Sequence, residues 1–230
     1  MKFPPGKRAR VVAGAIVNDI TREGLERLPA ESELLERYEI SRPTLREGLR
    51  LLEMYGVITL KTGPGGGAVV NAVAGRDFAT SSSLYFHVLG FNLADLMKSR
   101  LHLEPLMVRL AAERVKSGVA WPDGSPTLSS DGATSSQGDF HFAVAEFAGD
   151  PVLLLFAHAL RDITQDISRG HRLPALADTD RRVAHSDIAK AIAAGTPTKA
   201  EALMREHIQA YIDLIATHSP HLLDQVIDWN

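Results

Sequence analysis

Between Ile40 and Val70 the chain carries a close-set series of start and stop signals that few folds accommodate. Ile40-Ser41 reads as a turn and Ser41 is placed to cap a helix. Arg42 and Pro43 fall in its first turn, where a missing amide hydrogen does no harm. Gly56 stops that helix after Tyr55. Val57-Ile58-Thr59-Leu60 and Ala68-Val69-Val70 are β-prone runs joined by Lys61-Thr62-Gly63-Pro64-Gly65-Gly66-Gly67, which predicts a hairpin with an extended glycine-rich tip. Upstream, Val11, Val12, Ala15, Ile16 and Ile20 form a helical apolar stripe. Leu28 to Tyr38 reads as a short helix entered through Pro29.

Helix, helix, turn, helix and hairpin is the order of a winged helix-turn-helix, whose second helix of the motif enters a DNA groove. Such a helix needs long basic or hydroxyl side chains on one exposed face. Arg42, Arg46 and Arg50 recur at i, i+4 and i+8 with Thr44 among them, while Leu45, Leu49 and Leu52 form the opposing packed face. Arginine pairs bidentately with guanine or phosphate. Lys61 and Thr62 at the base of the hairpin tip suit a phosphate or the minor groove. The alternative is a solvated arginine face balanced by Glu47 and Glu53. A nucleotide-binding glycine loop is excluded: Gly63 to Gly67 runs into Ala68-Val69-Val70, with no Gly-Lys-Ser/Thr and no following helix. Residues 1–70 hold 11 Lys/Arg against 9 Asp/Glu, and residues 71–230 hold 14 against 19. A mildly basic head on an acidic body agrees with a head that meets a polyanion.

Residues 73–82 are polar and small and are expected to be a linker between a head at 8–72 and a second domain at 83–220. That second domain reads as all helix, an antiparallel bundle, which makes the fold mainly α with a small hairpin wing. Helical patterns cover Asn92 to Lys116, Phe140 to Ala148, Val152 to Ile167, Thr179 to Ala194 and Thr198 to Thr217. Trp121 to Gly138 and Arg169 to Ala177 look irregular. Apolar residues make up 45% of the chain and aromatics only 6%, which favours helices over a β-sandwich. No apolar run reaches membrane-spanning length and no secretory signal is recognised, so a cytoplasmic location is expected. With no cysteine, disulfides, thiolate metal sites and cysteine nucleophiles are excluded.

The chain has 9 histidines, and His141, His185 and His207 each sit within an otherwise apolar helical pattern. They could be hydrogen-bonded core residues, or converge from three helices on one ion.

Leu28-Pro29-Ala30-Glu31-Ser32-Glu33-Leu34, Ser41-Arg42-Pro43-Thr44-Leu45-Arg46-Glu47-Gly48-Leu49-Arg50-Leu51-Leu52 and Gly56-Val57-Ile58 together resemble the GntR family of bacterial transcription regulators. The resemblance implies operator contacts by Arg42, Thr44 and Arg46, with Gly63 as the wing glycine. Ser32 stands where the family usually has Arg, and Pro43 and Gly48 where small hydroxyl residues and Ala are common. Residues 83–218 resemble the helical ligand-binding (FCD) domain of the FadR-type branch. The matching residues are Arg100-x3-Glu104, Leu110-Ala111-Ala112-Glu113-Arg114, Phe140-His141, His185-x2-Ile188-x2-Ala191-Ile192 and Ala202-x-Met204-x2-His207. Many members bind Zn²⁺ or another divalent ion through an Asp and three His, the Asp lying four residues before the first His. Gln137 occupies that place here, and Asp139 would face another way on a helix. The resemblance also puts Arg100 in the effector cavity, the alternative being a plain i,i+4 pair with Glu104.

The function expected is a ligand-responsive transcription regulator, a repressor, binding double-stranded operator DNA as a homodimer and responding to a small organic acid. No enzymatic activity is expected. A metal-independent regulator responding to an acyl thioester is the alternative within the family. Outside it, a metal-dependent hydrolase on three His lacks a His-Glu-x-x-His motif, and a purely architectural DNA protein leaves the helical body unused.

Overall fold

The computed structural model describes residues 6–63, 66–72, 75–122, 137–170 and 178–229. The chain forms two compact units, Met1–Asp77 and Phe78–Asn230. In the first, α1 (Lys7–Glu23), α2 (Glu31–Tyr38) and α3 (Arg42–Met54) precede β1 (Ile58–Lys61) and β2 (Gly67–Val70). The strands are antiparallel, with Ile58 opposite Val70 and Lys61 opposite Gly67. Val12, Ala13 and Ile16 of α1, Leu34 of α2, Leu45 and Leu52 of α3, and Ile58 and Ala68 of the hairpin form one core. At Gly48 a β-carbon would stand 3.2 Å from the Ala9 carbonyl oxygen, so α1 and α3 approach closely where the side chain is smallest. Asp19 on α1 accepts from the Tyr38 hydroxyl at 2.7 Å and from Arg37 at 3.2 Å, tying the end of α2 to α1.

Two local expectations are corrected here. Leu28 to Ala30 is not helical: Leu28 N–H donates to Ala68 O at 2.9 Å, and Val70 N–H to Glu26 O at 2.9 Å. The backbone of 26–28 thus lies along the open edge of β2. Ser41 does stand at the N-cap position of α3, but its hydroxyl meets Thr44 Oγ1 at 2.9 Å and caps no backbone amide.

The second unit contains most of α4 (Gly75–Val88), then α5 (Leu93–Lys116), α6 (Gln137–Ala148), α7 (Pro151–Gly170), α8 (Asp178–Ala193), α9 (Pro197–His218) and a 3-10 turn at Pro220–Leu222. The 73–82 stretch, expected as a linker, is helical from Gly75 onward, although the two units do part within it. The irregular segments expected around 121–138 and 169–177 fall mostly outside the described residues. Two of these helices, α5 and α7, begin where short polar side chains take orphan amides. Asn92 and Asp95 form a reciprocal capping box on α5, and Asp150 accepts from the amides of Val152 and Leu153 at the start of α7.

α5 packs against α6, α7, α8 and α9. Two apolar clusters follow one another along it. Met107, Val108, Ala111 and Ala112 join Phe140, Val144, Ile188, Ile192, Met204 and Ile208 in one. Leu93, Leu96 and Met97 join Leu160, Ile163, Tyr211 and Ile215 in the other. The buried polar residues Glu104 and His207 interrupt this sequence of apolar contacts on α5 and on α9. Pro105 lies inside α5 and has no N–H to return to Leu101 O. Arg205 Nη1 of α9 donates to that carbonyl instead, at 3.3 Å. Among the described residues no helix is long and apolar enough to cross a membrane.

Candidate nucleic-acid interface and histidine cluster

The face of α3 opposite Leu45, Gly48 and Leu52 is the one that carries charge. Arg42, Arg46 and Arg50 are all exposed along it. Arg42 makes only a loose ion pair, 3.8 Å from Glu31, and its side chain is 77% exposed, so little holds it from another anion. Thr44 is half-buried and engaged with Ser41. Glu53 does not neutralise the arginine face: its carboxylate accepts from the Leu60 amide at 3.1 Å, fastening the wing to the end of α3. Lys61, Thr62 and Gly63 are exposed at the wing. Gly63 has φ +91°, a left-handed conformation that suits glycine, with open space where a β-carbon would be. A β-carbon on Gly66 would come within 2.4 Å of Lys61 O, so the tip closes only around glycine there. Arg27 Nη1 donates to Gly66 O at 2.9 Å and braces the tip from below. Sequence reasoning did not single out Arg27. Its place beside Leu28 gave no hint that the chain there would run along β2. Ser32 is exposed in the first turn of α2.

In the helical unit, His141 of α6, His185 of α8 and His207 of α9 come together, with metal-capable atoms all within 4.8 Å of one another. His185 Nε2 and His207 Nε2 lie 3.1 Å apart, close enough for one ring to donate to the other. The imidazole centroids of His141 are 5.1 Å from His185 and 5.4 Å from His207. Phe140 stacks on His185 at 4.2 Å and fixes its ring plane. Burial pushes the His185 imidazole down to about 2 and that of His207 to about 3, and the neighbouring His141 acts in the same direction. Both rings are therefore neutral at physiological pH, the form that binds metals. Three imidazoles converging from three helices are a donor set suited to Zn²⁺ or a similar divalent ion.

Glu104 of α5 reaches the same place, a residue that sequence reasoning had paired only with Arg100. Its Oε1 accepts from Arg100 Nε, and its Oε2 stands 2.6 Å from His141 Nδ1. Burial opposes the charge, but Arg100 and His141 outweigh it and hold the Glu104 carboxyl well below the usual carboxylate range. Arg100 is nearly buried, its side chain 12% exposed. Gln137 begins α6 one turn before His141, but its side chain and that of Asp139 lie outside the described residues.

A three-helix head with a wing and an exposed arginine face, followed by a helical body with an internal polar site, defines a two-domain DNA-binding regulator. Residues 9–70 match the model of the "Bacterial regulatory proteins, gntR family", and residues 127–210 match the FCD domain. The second match takes in the three histidines but not Arg100 and Glu104. YcbG of Bacillus subtilis strain 168, an HTH-type transcriptional regulator, is 30% identical over 202 residues, spanning 83% of this chain and 81% of YcbG. The HTH-type transcriptional repressor NanR of Enterobacter sp. strain 638 is 30% identical over 153 residues, 60% of this chain and 56% of NanR. NanR of Escherichia coli K12 is 28% identical over a stretch of the same length, and this chain spans 55% of it. Streptococcus agalactiae GntR shares the fold, with a TM-score of 0.60 at 20% identity over 88% of this chain and 98% of that one. The chain belongs to the GntR family of bacterial transcription regulators, and carries an FCD domain. It is a regulator and not an enzyme.

Proposed function

We propose that this regulator is a FadR-type, dimeric repressor that leaves its operator, or changes its hold on it, when a small organic acid binds the helical domain. The observation that carries the effector half is the convergence of His141, His185 and His207 beside the Arg100–Glu104 pair. The DNA half rests on the exposed Arg42, Arg46 and Arg50. Arg46, one turn into α3, reads a base edge. Arg42, Thr44 and Arg50 flank it on bases and phosphates, and Lys61, Thr62 and Gly63 of the wing follow the backbone or the minor groove. Repression is supported by the naming of the NanR relatives, and dimerisation by the two-fold operators that such motifs read. A regulator of this kind works in the cytoplasm, where its operator is.

His141, His185 and His207 would hold Zn²⁺ or another divalent ion, with Gln137 or water where relatives have a carboxylate. When bound, the ion supplies a Lewis-acidic anchor for an effector carboxylate. Arg100 would then pair with the same carboxylate. A metal-free reading has one observation in its favour: the 3.1 Å approach of His185 and His207 is also a hydrogen-bond distance. Elemental analysis of the purified protein decides between the two. The whole proposal is tested by an electrophoretic shift on DNA upstream of the regulator's own gene, with organic acids and acyl thioesters added in turn. A specific shift reversed by an acid supports it; no shift at any low-salt concentration rejects it.

A further inference from the structure

The Glu104 carboxylate is divided between two partners, one oxygen to each. Oε1 accepts from Arg100 Nε, and Oε2 faces His141 Nδ1 at 2.6 Å. Oε2 and Nδ1 are both buried and neither makes a well-aligned hydrogen bond among the described residues, which leaves each the 2.6 Å contact with the other. The group able to hold an ion comprises the three histidines and does not take in Glu104. The carboxylate therefore meets His141 at Nδ1 and stands outside the group of nitrogens able to hold an ion. We infer that Glu104 is the positioning residue of the metal site, orienting His141 through Nδ1 so that Nε2 is left for the ion. The inference rests on the three-histidine reading above.

A carboxylate behind a ligating imidazole does two things. It fixes the tautomer and the ring plane, and it raises the basicity of the nitrogen that meets the metal. Here it has a further consequence, because three imidazoles bring no negative charge to the ion. Glu104 places a negative charge one imidazole away from the ion, in a buried site where electrostatic effects are strong. Arg100 holds the other oxygen and stops the carboxylate from turning inward to become a ligand itself.

The test uses the full-length protein, zinc and a competing chromogenic chelator. Glu104→Gln keeps the shape but orphans Arg100 and could unfold the domain. The double variant Arg100→Gln/Glu104→Gln removes both buried charges and is measured beside it. The expected result is a zinc Kd raised by about 10–100-fold in both variants. The visible spectrum of the Co²⁺-loaded double variant should keep the parent's band shape and intensity, because the ligand set is unchanged. A double variant that binds zinc within twofold of the parent overturns the inference. So does a changed Co²⁺ spectrum, which would make Glu104 a ligand. If parent and His185→Ala bind zinc equally weakly, the three-histidine reading fails, and the inference with it.

Discussion

Arg46 projects from the exposed face of α3, while the leucines behind it carry the core. Truncating it removes groove contacts and no packing. Arg46→Ala should weaken operator binding by about 1–3 kcal/mol and leave the thermal unfolding curve unchanged; a low-salt titration with equal affinity for parent and variant would reject this docking. At the histidine site, Gln137→Asp restores an anionic donor, and a carboxylate suits a dication better than a neutral amide. Metal retention against a chelator should rise in Gln137→Asp and fall in His185→Ala. The three histidines were legible because each interrupts an apolar helix. Glu104 was not. Arg100 four residues earlier accounts for it locally, and nothing in the order of residues shows that α5 and α6 bring it to His141. The Ser41 hydroxyl was misjudged for a similar reason: Thr44 competes for it at close range.

At the level of single elements, α5 contains a break in its own ladder. Pro105 leaves the Leu101 carbonyl without a helical donor, and Arg205 of α9 fills the vacancy. Arg205→Met should destabilise the helical unit by about 0.5–1.5 kcal/mol, the net worth of an ordinary hydrogen bond. In a Pro105→Ala background the carbonyl regains a main-chain partner, and the same change should cost measurably less. A denaturant-melt double-mutant cycle with no coupling would contradict this account. Most helices were recoverable from their apolar periodicity because each buries one continuous stripe. α4 was missed because its sequence contains the polar run Thr80 to Ser83, weak helix formers. Its helicity is decided by distant packing, with Ala79 buried and Phe78 edge-on to Phe156 at 5.5 Å. Leu28 to Ala30 was misread as helix because Pro29 marks a helix start equally well whether the helix begins at once or two residues later.

For the molecule as a whole, pH should act through the buried imidazoles. The folded values of His185 and His207 lie below the ordinary 6.5, so the unfolded chain takes up more protons once the pH falls under that value. Stability is complete above pH 6.5 and declines as the pH drops towards about 3. The Tm of chelator-treated protein should follow this course, more shallowly in His185→Leu; a flat profile in the parent would show that the rings are not held neutral. Light scattering at micromolar concentration should give twice the chain mass with or without DNA. The two-unit organisation was readable from the head's start and stop signals and the body's helical periods, but the polar layer joining α5, α6, α8 and α9 was not, since it exists only after four helices meet. That layer also keys the vertical alignment of the bundle. Sliding α9 along α5 by one turn, about 5.4 Å, would put Leu203 or Tyr211 at the position of His207 and take away the nitrogen that His185 Nε2 now meets at 3.1 Å. A buried polar ring left without a partner costs free energy, which disfavours both neighbouring alignments, so a site suited to sensing a ligand also serves as the notch that sets how the helices are stacked.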